Sequence, residues 1–214
     1  MAIMQCARVL FGSIALAFAL LGEGLAQSKP SSPPPAMDLP SIIQALQQGG
    51  YVIYFRHGAT DQSKPDADRL DLNNCATQRN LSEQGREQAK AIGAAFAALG
   101  IKVSGVFSSP YCRCVDTAKL AFGKATVMQD LEFAVSKSEG ESSRLGAVLR
   151  KLLAARPQRG ANTVIVAHSA NLKEAVGIWP QPEGAAYVFQ PQGESAKYIG
   201  RVGPEQWPEL SRAK

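Results

Sequence analysis

Short runs of apolar residues alternate with longer stretches in which apolar residues recur every three or four positions. Five runs read as strands: Tyr51 to Phe55, Val103 to Phe107, the weaker Thr126 to Met128, Thr163 to Ala167, and Ala186 to Gln190. Several are almost continuously apolar and rich in β-branched residues, the pattern of parallel strands covered on both faces. Helical spacing predicts a short helix over Pro40 to Gln48, with Ile42, Ile43 and Leu46 on one face and Gly49-Gly50 to stop it. The longest helix is expected from Ser82 to Leu99, with Ser82 as N-cap, Gly100 as stop, and Ala89, Ile92, Phe96 and Leu99 inward. Another is expected over Ser142 to Ala155, with Leu145, Val148, Leu149 and Leu152 inward, and a last short one near Asn171. Alternating strands and helices predict an α/β three-layer sandwich with a mostly parallel sheet. No internal repeat is present.

The first 26 residues break this pattern. Arg8 precedes an apolar run from Val9 to Leu21, and Gly24-Leu25-Ala26 puts small residues before Gln27. That is the form of a secretory signal peptide cleaved after Ala26, which implies a periplasmic or secreted protein. The run is shorter than the roughly 20 residues of a membrane span, so no stable membrane insertion is expected after cleavage. No Cys follows a small residue at its end, which argues against a lipoprotein. Residues 27–37 include the Pro/Ser tract Ser28 to Pro35 and read as a flexible, solvated tether. The folded domain is expected over 38–214.

Composition sharpens this picture in two places. The chain of 214 residues has a formal charge of +5. Arg8 and Glu23 cancel, so loss of the leader leaves the charge unchanged. A basic exported protein suits anionic partners, although without a Lys/Arg run carrying interleaved aromatics nucleic acid is not one of them. Cys75, Cys112 and Cys114 remain after the leader takes Cys6. In an oxidising compartment Cys75 could bridge to Cys112 or to Cys114, whereas Cys112 and Cys114 are too close to bridge well. A zinc site would need more Cys or His at ligand spacing than these residues and two distant histidines supply.

Ligands of parallel α/β sheets bind beyond the carboxyl ends of the strands. Three predicted strands deliver chemistry there. Tyr51 to Phe55 runs into Arg56-His57-Gly58, Val103 to Phe107 into Ser108-Ser109-Pro110-Tyr111-Cys112-Arg113, and Thr163 to Ala167 into His168-Ser169-Ala170-Asn171. Both histidines of the chain stand at such ends. A neutral imidazole can attack phosphorus, neighbouring guanidiniums help keep it neutral, and arginines match phosphate oxygens in geometry and charge. The combination predicts phosphoryl transfer on a small phosphorylated substrate, with no metal and no organic cofactor.

The chain resembles the histidine phosphatase superfamily, which includes the cofactor-dependent phosphoglycerate mutases and the histidine acid phosphatases. The resemblance rests on Tyr54-Phe55-Arg56-His57-Gly58-Ala59-Thr60, on Arg79-Asn80-Leu81-Ser82-Glu83-Gln84-Gly85-Arg86-Glu87-Gln88-Ala89, on Ser108 to Arg113 with Thr117-Ala118, and on Val164 to His168, in the family's order. It implies a phosphoglycerate mutase-like fold and a phosphohistidine formed on His57. Arg56, Arg113 and His168 would hold the phosphoryl oxygens, with Thr60 near them. The general acid implied by Leu131-Glu132, followed by Glu139-Gly140, is Glu132, with Asp130, Glu139 and Glu141 as rivals. Arg79, just before the long helix, could reach the substrate, but such an arginine more often caps or pairs locally, and it is left outside the core site. The phosphate-binding cysteine loop of cysteine phosphatases is absent.

The expected activity is that of an exported phosphatase acting on phosphomonoesters. Alternatives are a phosphomutase using the same chemistry, and a non-catalytic module that binds phosphorylated ligands. A looser similarity to lipopolysaccharide core heptose-phosphate phosphatases suggests an envelope sugar phosphate as substrate. Oligomeric state is not legible.

Overall fold

A computed structural model describes residues 37–67 and 71–212. The expected leader and nearly all of the tether lie outside the described residues. The first helix, α1 (Leu39–Gln48), is capped by Asp38, whose carboxylate accepts from the Ser41 amide. There follow β1 (Val52–Arg56), α2 (Glu83–Leu99), β2 (Val103–Ser108), α3 (Cys112–Phe122), β3 (Thr126–Val127), α4 (Glu139–Ala154), β4 (Asn162–Ala167), α5 (Ser169–Val176), β5 (Ala186–Gln192), β6 (Ser195–Val202) and α6 (Gln206–Arg212).

The sheet has the order β3-β2-β4-β1-β5-β6. The first four strands are parallel, while β5 runs antiparallel to β1 and β6 antiparallel to β5. The expected fold class is therefore observed. Successive residues of β1 face opposite layers, as the two-residue repeat of a strand requires. Ile53 and Phe55 pack with Ile92, Phe96, Ala118 and Trp207 from α2, α3 and α6. Val52 and Tyr54 pack with Leu149, Leu153 and Leu172 from α4 and α5. Each wholly buried Ile, Leu or Phe in these layers contributes about 1.5–3 kcal/mol of apolar burial.

The expected caps of α2 are the observed ones. The Ser82 side chain accepts from the Gly85 amide, and Gly100 ends the helix in the left-handed region at φ 69°. Gly85 has a further role: a Cβ there would meet the Ala59 carbonyl oxygen at 1.9 Å. Only glycine lets this helix lie against the turn after β1. In α4 the buried residues include Leu145, Leu149 and Leu153, with Leu152 only partly covered. The helix begins at Glu139, three residues before the expected start, because Ser138 caps it.

Candidate active site

The parallel strands β1, β2 and β4 end together. The His57 amide donates to the Ala167 carbonyl at 3.1 Å, and the Ser109 amide to the Val166 carbonyl at 2.9 Å. The Tyr54 hydroxyl donates to the His168 carbonyl at 2.5 Å. These bonds lock the three strand exits to one another. The His57 and His168 rings face each other with centroids 5.5 Å apart.

His57 is only 2% exposed. Its Nδ1 lies 2.9 Å from the Gly58 carbonyl oxygen. A carbonyl can only accept, so Nδ1 carries the proton and Nε2 keeps its lone pair. Burial first, then the charge of Arg113, hold the His57 pKa well below the usual histidine value; the Gly58 bond opposes them, and Arg56 and Arg79 add smaller lowering effects. His168 is displaced in the same direction, by burial, then by Arg113, His57, Arg79 and Arg56. Both rings are thus neutral at ordinary pH. His168 is wedged between Tyr111 and Phe133, each with ring centroids 5.0 Å away, and its Nε2 lies 2.8 Å from Ser109 Oγ.

These displaced histidines make a stability prediction. The unfolded chain takes up protons as pH falls through about 6.5, while the folded chain resists them, so stability rises with pH in this window. It is expected to be complete above pH 7 and to decline towards pH 5, by up to about 1.4 kcal/mol per pH unit for each histidine. Urea unfolding at pH 7.5 and pH 5 measures it. Equal midpoints and slopes would contradict the burial of two neutral imidazoles.

Arg113 is 0% exposed, and its guanidinium lies 4.5 Å from the Tyr111 ring centroid. Nη1 donates to Asp66 Oδ1 at 2.8 Å and to the Arg79 carbonyl at 3.2 Å. Its Nε and Nη2 have no hydrogen-bond partner among the described residues. A buried cation with unmatched N–H groups is costly unless an anion meets it. Arg56 donates from Nη2 to Glu183 Oε1 at 3.0 Å and from Nη1 to the Pro180 carbonyl at 3.3 Å, and its Nε is likewise unmatched. The buried Thr60 sends its amide to Glu183 Oε2 at 2.8 Å and its hydroxyl to the same carboxylate.

Arg56, His57, Arg113, His168 and Thr60 therefore form one cluster of contacts. Glu132 makes no hydrogen bond with any of them. Its carboxylate is 2.6 Å from Lys137 Nζ, and it borders a cavity of about 540 Å³ shared with Cys75, Pro110 and Cys112. The next residue, Phe133, is the one that packs on His168. Among the rivals, Asp130 and Glu141 are both paired with Arg144 on an exposed face, and Glu139 is exposed at the start of α4.

Sequence reasoning missed Glu183, Asp66 and the part played by Gln78, and it left Arg79 outside the core site. For Glu183 a signal existed: it sits in the turn before an apolar strand, and an antiparallel strand beside β1 brings its starting end, not its carboxyl end, to the site. Asp66 lies in a polar stretch without periodicity, where nothing marks it. Gln78 is buried, accepts from the Cys112 amide at 2.9 Å and donates to the Leu72 carbonyl at 2.9 Å. Beside it Cys75 is bridged to Cys112, which decides between the two pairings left open. Cys114 is buried and unbridged, with Sγ 3.6 Å from His168 Nε2. Burial pushes its thiol up to about 12, which makes it a poor nucleophile.

The model of the histidine phosphatase superfamily (branch 1) matches residues 52–134. This span holds Arg56, His57, Arg113 and Glu132 and stops short of His168. No curated protein sequence matches the chain significantly. Among solved structures, the chain resembles the ecdysone phosphate phosphatase of Bombix mori in complex with tungstate, with a TM-score of 0.51 and 16% identity over 72% of this chain and 93% of that one. It also resembles the phosphoserine phosphatase of Entamoeba histolytica in complex with 3-phosphoglyceric acid, with a TM-score of 0.50 and 15% identity over 72% and 96%. At such identities the likeness is one of fold.

Proposed function

We propose, from the match of residues 52–134 to the histidine phosphatase superfamily, that this protein is an exported phosphatase that hydrolyses phosphomonoesters through a phosphohistidine on His57. The observation that carries the reading is the Nδ1 bond of His57 to the Gly58 carbonyl. It leaves Nε2 as a free nucleophile in a neutral ring, beside buried guanidinium N–H groups that match phosphoryl oxygens.

In the first step Nε2 attacks phosphorus, the bond to the leaving oxygen breaks, and Glu132 gives that oxygen a proton. In the second step water attacks phosphorus, the bond to Nε2 breaks, and Glu132 takes the proton from water. Arg56, Arg113 and His168 stabilise the charge on the transferring group in both. Thr60 sits at the edge of this group. No step calls for a metal or an organic cofactor.

Export is supported by the leader pattern of residues 1–26 and by the Cys75–Cys112 bridge, which suits an oxidising compartment. In that setting phosphorylated sugars of the cell envelope are the favoured substrates.

The test is to quench the protein with denaturant and alkali during turnover of a ³²P-labelled monoester. The label is expected to be stable to alkali, labile to acid, and missing from the His57→Ala variant. An acid-stable label, or one that persists in that variant, would overturn the proposal.

A further inference from the structure

We propose that Arg79 is a further substrate-binding residue: a third guanidinium that takes a phosphoryl oxygen and that no carboxylate among the described residues pairs. The inference rests on the phosphoryl-transfer reading above, and extends it to a residue that the sequence alone leaves outside the core site.

Its backbone is fixed on both sides by the site itself. The Arg79 amide donates to Asp66 Oδ1 at 2.9 Å, the same oxygen that accepts from Arg113. The Arg79 carbonyl accepts from Arg113 Nη1. Gln78 and the Cys75–Cys112 bridge then fasten this stretch to the first turn of α3, where Arg113 stands. The side chain reaches back towards the turn after β1. Nη1 donates to Gln62 Oε1 at 3.2 Å, and Gln62 Nε2 donates to Thr60 Oγ1 at 2.8 Å. Its Nε is buried and has no partner among the described residues. The guanidinium therefore spans the two halves of the cluster.

Charge gives the second argument. Arg56 is paired with Glu183, and Arg113 with Asp66. Among the described residues no carboxylate pairs with the Arg79 side chain. Both histidines sense its charge in the direction that weakens proton binding, which agrees with its closeness to them. A phosphomonoester arrives as a dianion, and two guanidiniums already balanced by carboxylates meet it with little net charge. Arg79 tips that balance, and its planar fork suits phosphate oxygens better than a point charge would.

The test is binding of inorganic phosphate to the full chain, measured by calorimetry and by the arginine Nε–H resonances. The Arg79 resonance is expected to shift on addition of phosphate. Arg79→Gln should weaken phosphate binding, and raise KM for p-nitrophenyl phosphate, by about tenfold to a hundredfold. Arg79→Lys should fall between that variant and the unaltered chain. The imidazole titrations of both histidines should move up in Arg79→Gln, a change that loss of a loop bond alone would not cause. An unmoved Arg79 resonance, or a folded Arg79→Gln protein that binds phosphate within about twofold of the unaltered chain, would overturn the proposal. The two readings fail separately. Phosphate binding through Arg79 without turnover of any monoester would uphold this inference and sink hydrolysis. Turnover at an unchanged KM in Arg79→Gln would do the reverse.

Discussion

The His57→Ala protein is expected to fold and to lose about 10⁴-fold or more of its kcat on every phosphomonoester. The side chain is buried, but among the described residues its ring is hydrogen-bonded only to the neighbouring Gly58 carbonyl, so no network collapses with it. The strand exits are held by backbone bonds that alanine keeps, such as the His57 amide to Ala167. What vanishes is the lone pair that, in the proposed scheme, attacks phosphorus. The guanidiniums proposed to bind the substrate remain, so KM should change far less than kcat. Circular dichroism and steady-state kinetics on the same preparation separate these effects. Normal rates from a folded His57→Ala protein would remove the nucleophile from the scheme.

Glu132→Gln is expected to show an effect that depends on the leaving group. For alkyl phosphates the departing alkoxide is strongly basic and needs a proton, and kcat should fall by about 10²- to 10⁴-fold. For p-nitrophenyl phosphate the departing phenolate is stable, and the loss should be small. The pair with Lys137 fixes where this carboxylate sits, and Phe133 links the same segment to His168. Its rivals are less well placed, since Arg144 holds Asp130 and Glu141 together on an exposed surface. An equal loss on both kinds of ester would assign the proton to another group.

The strands and long helices were legible because their signals are local. Ser82 and Gly100 bound α2 in the sequence as in the structure. The same rule that places ligands at the carboxyl ends of parallel strands gathered Arg56, His57, Arg113 and His168. It fails for Glu183, because β5 runs antiparallel to β1 and offers its opposite end. Helix α3 is not among the expected helices, because it starts inside the Ser108–Arg113 motif, so that Cys112 and Arg113 are helical residues. Strand β6 was missed because it is an edge strand whose exposed first half carries polar residues. Asp66 and Gln78 act through contacts distant in the chain, at separations of 47 and 34 residues, which leave no periodic trace.

The Cys75–Cys112 bridge closes a covalent ring across a sequence separation of 37. Inside that ring run Gln78, Arg79 and the whole of α2. The two ends of the ring are the segment that presents Arg79 and the turn that presents Arg113. Two guanidiniums repel each other, and the chain must hold them together before any anion arrives. In the chain-entropy picture a ring of this size removes about 4 kcal/mol of freedom from the unfolded ensemble. The bridge thus prepays, before substrate arrives, part of the cost of assembling like charges. The readiness of the pocket becomes a property set by oxidation at the time of folding, and not only by the sequence that folds.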